Sequence, residues 1–173
     1  VFDEDGRLLS VWGSRGWGAG QFLRPAGIAA DGAGSVYVSD HFNDRIQKFS
    51  AGGEFLGYVG ASAGGAVRPQ PTASLLVAPS LPESQVVRPE GLAIDAAGVL
   101  YVADYGRDRV ARFAPDGRFL GAWGSRGSAA GEMIGPKGVA VDAATGRVFV
   151  ADTGNGRVQR FTTDGVYETS WGL

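Results

Sequence analysis

Three Asp-x-x-x-x-Arg pairs stand out among the residues able to do chemistry: Asp40 with Arg45, Asp104 with Arg109, and Asp152 with Arg157. A carboxylate held against a guanidinium can steer a proton or clamp an anion, which admits a catalytic reading. Catalysis, however, needs one asymmetric constellation. The same pair three times over reads as a structural brace between strands, with Arg making bidentate hydrogen bonds. Asp31, Asp95 and Asp142 recur in the same fashion and read as acceptors for turn amides. The one histidine, His41, has Asp40 and Asp44 beside it and is a general-base candidate. No repeated partner supports a triad, so a solvated loop residue is expected there.

Other chemistries drop out. There are no cysteines, which removes disulfides and thiolate metal sites, and one histidine cannot build a multi-histidine site. Gly16 to Gly20, GWGAG, contains G-x-G, but Gln21 to Pro25 cannot open the helix a dinucleotide fold requires. Asp3, Asp5 and Gly6 have the look of a calcium loop, yet Val1 and Trp12 occupy its first and twelfth positions. The sequence reading therefore assigns no catalytic residue, no metal and no cofactor. A formal net charge of -2 with no basic run gives no footprint for nucleic acid. No apolar run nears the ~18 residues of a membrane span, and VFDEDGRLL lacks signal-peptide character. Compartment is left open.

The elements that must carry these residues are repeats. Over 173 residues, 44% hydrophobic and 20% charged, close copies run from Arg24 to Gly60, Arg88 to Gly124 and Gly135 to Gly172, after a partial copy from Val1 to Gly13. Phe2 and Gly13, Phe49 and Gly60, Phe113 and Gly124, and Phe161 and Gly172 are all 11 positions apart. A period of about 40 to 50 residues points to a propeller or solenoid. Each copy reads as four strands. GIAAD, GLAID or GVAVD and then VYVSD, LYVAD or VFVAD are near-continuous apolar runs suited to burial on both faces. RIQKF, RVARF or RVQRF alternates as a half-exposed strand does, and FLGYVG, FLGAWG or YETSWG follows a glycine-closed hairpin turn. The fold class is all-β: a β-propeller of four-stranded antiparallel blades, with three whole blades and the outer edge of a fourth.

The pattern P-x-G-(apolar)-A-(apolar)-D, V-(A/S)-D-x-x-x-x-R-(V/I), F-x-x-x-G, as in Pro89 to Gly117, resembles the NHL repeat. The resemblance covers nearly the whole chain outside one insertion. It implies a propeller that is most often six-bladed, so that the chain is either a segment of a longer one or pairs with a second copy to complete the ring. NHL-class amidating lyases place a zinc-binding histidine four residues before the opening proline; Gln21, Gln85 and Glu132 stand there. That departure argues against metal-dependent lyase chemistry in these blades. Tripartite-motif proteins bind RNA with related domains, but their basic surface is not evident.

Function is sought where the copies differ. The inserted loop, 61–87, has four of the eight prolines and an apolar centre at Leu75, Leu76 and Val77; it reads either as a surface loop or as a lid or docking loop. Inside the Asp-to-Arg turns, His41, Phe42, Asn43, Tyr105, Arg107 and Asn155 vary, and they should surround the channel mouth with Arg15, Trp17 and Arg126. Aromatic and arginine side chains dominate binding hot spots. The expected function is a non-catalytic binding or scaffold module recognising a protein, peptide or glycan through this loop face. The alternative is a segment of a propeller lyase or hydrolase with its active site in the channel.

Overall fold

A computed structural model of the chain describes residues 1–60 and 81–172. It contains a parallel pair, β1 (Ser14–Arg15) and β2 (Gln21–Phe22), followed by three four-stranded antiparallel sheets. The first sheet is β3 (Pro25–Ala30), β4 (Val36–Asp40), β5 (Arg45–Phe49) and β6 (Phe55–Val59). The second is β7 (Pro89–Ile94), β8 (Leu100–Asp104), β9 (Arg109–Phe113) and β10 (Phe119–Trp123). The third is β11 (Pro136–Asp142), β12 (Arg147–Asp152), β13 (Arg157–Thr162) and β14 (Tyr167–Gly172). Strands follow chain order within every sheet, which is the meander of a propeller blade. Residues 61–80, most of the inserted loop, lie outside the described residues.

The three sheets stack face to face in sequence, and the apolar positions of the repeat fill the two seams. Tyr37, Ile46 and Val59 of the first blade pack with Leu92, Val102, Ala111 and Phe113 of the second. Tyr101 and Val110 of the second pack with Val148, Val150 and Phe161 of the third. The connection into each blade adds one apolar residue to the seam, Val86 in one and Met133 in the other. Full burial of one such side chain stabilises by roughly 1.5–3 kcal/mol, so the blades hold one another up. Burial on both faces describes β7 and β8 but fails for β3, where Ile28 is 67% exposed, because no described blade covers its outward face.

Aromatic and cationic residues repeat across the seams. Trp123 meets Phe161 at 5.8 Å between ring centres, and Trp12, from the partial copy, meets Phe49 at 4.7 Å. Lys48 Nζ donates to Pro115 O at 3.2 Å, and Arg112 Nη1 donates to Thr163 O at 2.6 Å, so each reaches the hairpin turn of the following blade. The first strands of successive blades lie against one another. A Cβ on Gly91 would stand 2.6 Å from Lys137 O, which is why the opening motif carries glycine after its variable residue. That close approach makes β3, β7 and β11 neighbours, with Ala26, Glu90 and Lys137 at the equivalent position after the opening proline of each.

Candidate functional site

The turns between second and third strands of each blade, and the connections that lead into each blade, share one face. The Asp–Arg pairs sit at the base of that face. They are directly opposed across the strands, Asp40 with Arg45, Asp104 with Arg109 and Asp152 with Arg157. All three carboxylates are fully buried. In each case one oxygen takes the arginine Nε, at 3.3, 2.8 and 2.8 Å. The other accepts an amide of the incoming connection: Leu23 N at 3.0 Å, Val87 N at 2.7 Å, Ile134 N at 2.8 Å. Burial pushes the Asp104 carboxyl up, against the pull of Val87 N–H and Arg109.

The arginines complete a clamp. Arg45 donates to Gly18 O at 2.8 Å and Gln21 O at 2.6 Å, Arg109 to Glu83 O at 2.7 Å, and Arg157 to Ala129 O at 2.7 Å and Glu132 O at 2.8 Å. The clamp therefore joins two strands to the connection as well as to each other. Sequence reasoning missed two further members. Gln47 and Gln159, on alternating strands that look half-exposed, are fully buried and also bond the connection, at Gln21 O (2.8 Å) and Glu132 O (2.6 Å). The pre-proline positions Gln21, Gln85 and Glu132 thus serve through their backbone carbonyls.

Three residues expected on the binding surface turn their donors inward. Asn43 Nδ2 bonds Asp40 and Gly16 O at 3.0 Å, and Asn155 Nδ2 bonds Asp152 Oδ2 at 2.8 Å and Gly127 O at 2.9 Å. Arg107, at the equivalent position of the second blade, spans the longer connection there, donating to Leu81 O and Pro82 O at 3.0 Å. Its longer side chain suits the longer loop. The side chains left facing outward are Phe42, 62% exposed, Trp17, 50% exposed, Arg15, and Arg126, which pairs with Asp108 Oδ2 at 3.1 Å. Tyr105 is half-buried.

His41 departs from expectation. It is not solvated: only 6% of its surface is exposed. Its ring lies 5.0 Å from Phe42 and 5.8 Å from Tyr105, and Nδ1 stands 3.0 Å from Glu90 Oε1 of the next blade. Nδ1 is buried and completes no hydrogen bond despite the short separation. Glu90 Oε1 takes Arg24 Nη1 instead, at 2.8 Å, and the Arg24 guanidinium sits 5.6 Å over Phe42. Burial lowers the His41 pKa below its ordinary value; Glu90 and Asp44 oppose the shift, while Arg24 and Arg88 reinforce it. Glu90 was legible only as the middle residue of P-x-G, which differs in every blade. Among the described residues no group of three or more His, Asp or Glu could hold a metal ion.

A family model for the NHL repeat matches residues 87–113 and 134–161, the cores of the second and third blades. The chain carries NHL repeats. Solved structures similar to this NHL-repeat chain are β-propellers of several kinds, so its three sheets are a segment of a propeller. They include virginiamycin B lyase from Staphylococcus aureus (17% identity, TM-score 0.58, covering 86% of this chain and 41% of that one). A nidogen/laminin complex is similar at 18% identity and a TM-score of 0.57, with 86% and 47% covered. Kuenenia stuttgartiensis hydrazine synthase is similar at 15% and 0.61, with 86% and 36% covered. The NHL-repeat chain thus spans less than half the length of these structures, and at such identities the likeness concerns the fold alone. No curated protein matches the chain in sequence.

Proposed function

We propose that this NHL-repeat chain is a non-catalytic binding module that receives a protein or peptide on the loop face at the channel mouth. One observation carries the reading: the charged residues of the repeat are consumed in buried clamps, while Phe42 and Trp17 are left with half or more of their surface in solvent on that same face. Exposed aromatics grouped on a rigid loop face are what binding surfaces use. A nidogen/laminin complex among the similar structures gives a precedent for a propeller of this kind in a protein complex.

The second reading, a propeller enzyme, is favoured by the buried His41 beside Glu90 and by the likeness to a lyase. A general base must reach its substrate, and Nδ1, though it completes no bond within the chain, is buried against Glu90. Two variants separate the readings. Replacing Trp17, Phe42 and Tyr105 together by alanine should weaken a partner identified by cross-linking at least tenfold with the melting curve retained. Unchanged affinity in that variant overturns the binding reading, and turnover abolished by His41→Gln would establish the enzyme.

A further inference from the structure

Arg88 is held in a conformation that costs it stability and is spent on no contact. Its φ is +49°, in the left-handed region, where a non-glycine residue is disfavoured by roughly 1–2 kcal/mol. The equivalent position before the third blade is Gly135, with φ +56°, and both are fixed by the same bond: Asp44 Oδ1 accepts Arg88 N at 2.8 Å, and Asp108 Oδ1 accepts Gly135 N at 2.7 Å. The chain thus shows that glycine serves this turn without strain. Among the described residues, the exposed Arg88 side chain makes no hydrogen bond and no ion pair, and the same is true of the exposed Lys137. Strain retained at a position that glycine would relieve is a mark of use.

Resting on the binding reading above, we propose that Arg88, with Lys137, recognises carboxylate side chains of a peptide laid across the channel mouth, whose apolar residues rest on Phe42. Glu90 is answered by Arg24, while Arg88 and Lys137, like Arg15, are exposed cations with no ion pair among the described residues. A phosphate group fits less well. Phosphate sites recruit backbone N–H groups. At this mouth the amides of Leu23, Arg24, Val87, Arg88, Ile134 and Gly135 are already taken by Asp40, Asp44, Asp104, Asp108 and Asp152. What remains are exposed side-chain cations and the exposed Phe42 ring, groups that suit the carboxylates and apolar residues of one peptide.

The test is calorimetric titration of the chain with a capped peptide alternating glutamate and leucine, its glutamine counterpart, and inorganic phosphate. The glutamate peptide should bind, the glutamine peptide at least tenfold more weakly, and phosphate should not compete. Arg88→Gln should lose about tenfold in affinity with an unchanged melting temperature, and Arg88→Gly should lose as much while melting no lower than the parent. Equal binding of the two peptides, or parental affinity in both variants, overturns the charge recognition. If Phe42→Ala still weakens both peptides, the binding face itself stands. A lower melting temperature for Arg88→Gly would show that the arginine serves the fold, and competition by phosphate would overturn the peptide assignment.

Discussion

Arg157 Nε lies 2.8 Å from the fully buried Asp152 Oδ2, and its terminal nitrogens reach the carbonyls of Ser128, Ala129 and Glu132, which belong to the connection entering that blade. One side chain thus ties the third strand to its partner strand and to the preceding segment. Arg157→Ala removes these bonds and strands a buried carboxylate, which should cost about 3–5 kcal/mol. Arg157→Lys should recover little, because an ammonium cannot span the fork. Urea unfolding measures both; a loss under about 1 kcal/mol for alanine would rule out the clamp.

Asn155→Ala tests whether the turn asparagines serve the fold. Its Nδ2 links Asp152 to Gly127 O, so alanine leaves both acceptors short of a partner and should cost about 1–2 kcal/mol by thermal unfolding. A partner bound on the loop face should keep its affinity for the variant.

The repeat was legible because fold-bearing residues recur: the strands, the hairpin turns and the Asp–Arg pairs all follow from register. Asp31, Asp95 and Asp142 each accept turn amides two residues on, at 3.0, 2.9 and 2.9 Å, a purely local bond that sequence alone can suggest. What escaped was set by neighbours distant in the chain. Gln47 alternates with apolar residues as a solvent-facing residue would, and only the connection folding over it, some 26 positions earlier, buries it. His41 sits in a variable turn, and its burial comes from Glu90 and Tyr105 of another blade. Glu90 itself carries the same signal as the turns, variation against a constant frame, in a motif whose proline and glycine recur in every blade.

Gly91→Ala probes how closely the inner strands approach. The added Cβ would meet Lys137 O at 2.6 Å and Val139 N at 3.1 Å, both backbone atoms of the next blade that cannot rotate away. Overpacking of this kind should cost about 1–3 kcal/mol and lower the melting temperature by several degrees. Gly32→Ala, with open space around its Cβ, is the control and should melt with the parent.

Burial holds the His41 pKa below its ordinary value, and Arg24 and Arg88 add to that, while Glu90 and Asp44 act the other way. The unfolded chain returns the ring to its ordinary value near 6.5. Between the two values the unfolded state binds more protons, so stability rises with pH through that interval and falls as pH drops below about 6.5. Glu90→Gln removes the charge that favours the imidazolium, so the folded pKa should fall further and the acid loss should extend to lower pH. His41→Gln removes the titrating group, and its stability should be flat between about pH 7.5 and 5.5, above the range where carboxylates dominate. Denaturant midpoints across that interval decide the matter: an equal slope in parent and His41→Gln would mean that the ring titrates as an exposed histidine does, and that the pocket formed by Glu90, Phe42 and Tyr105 is open to water.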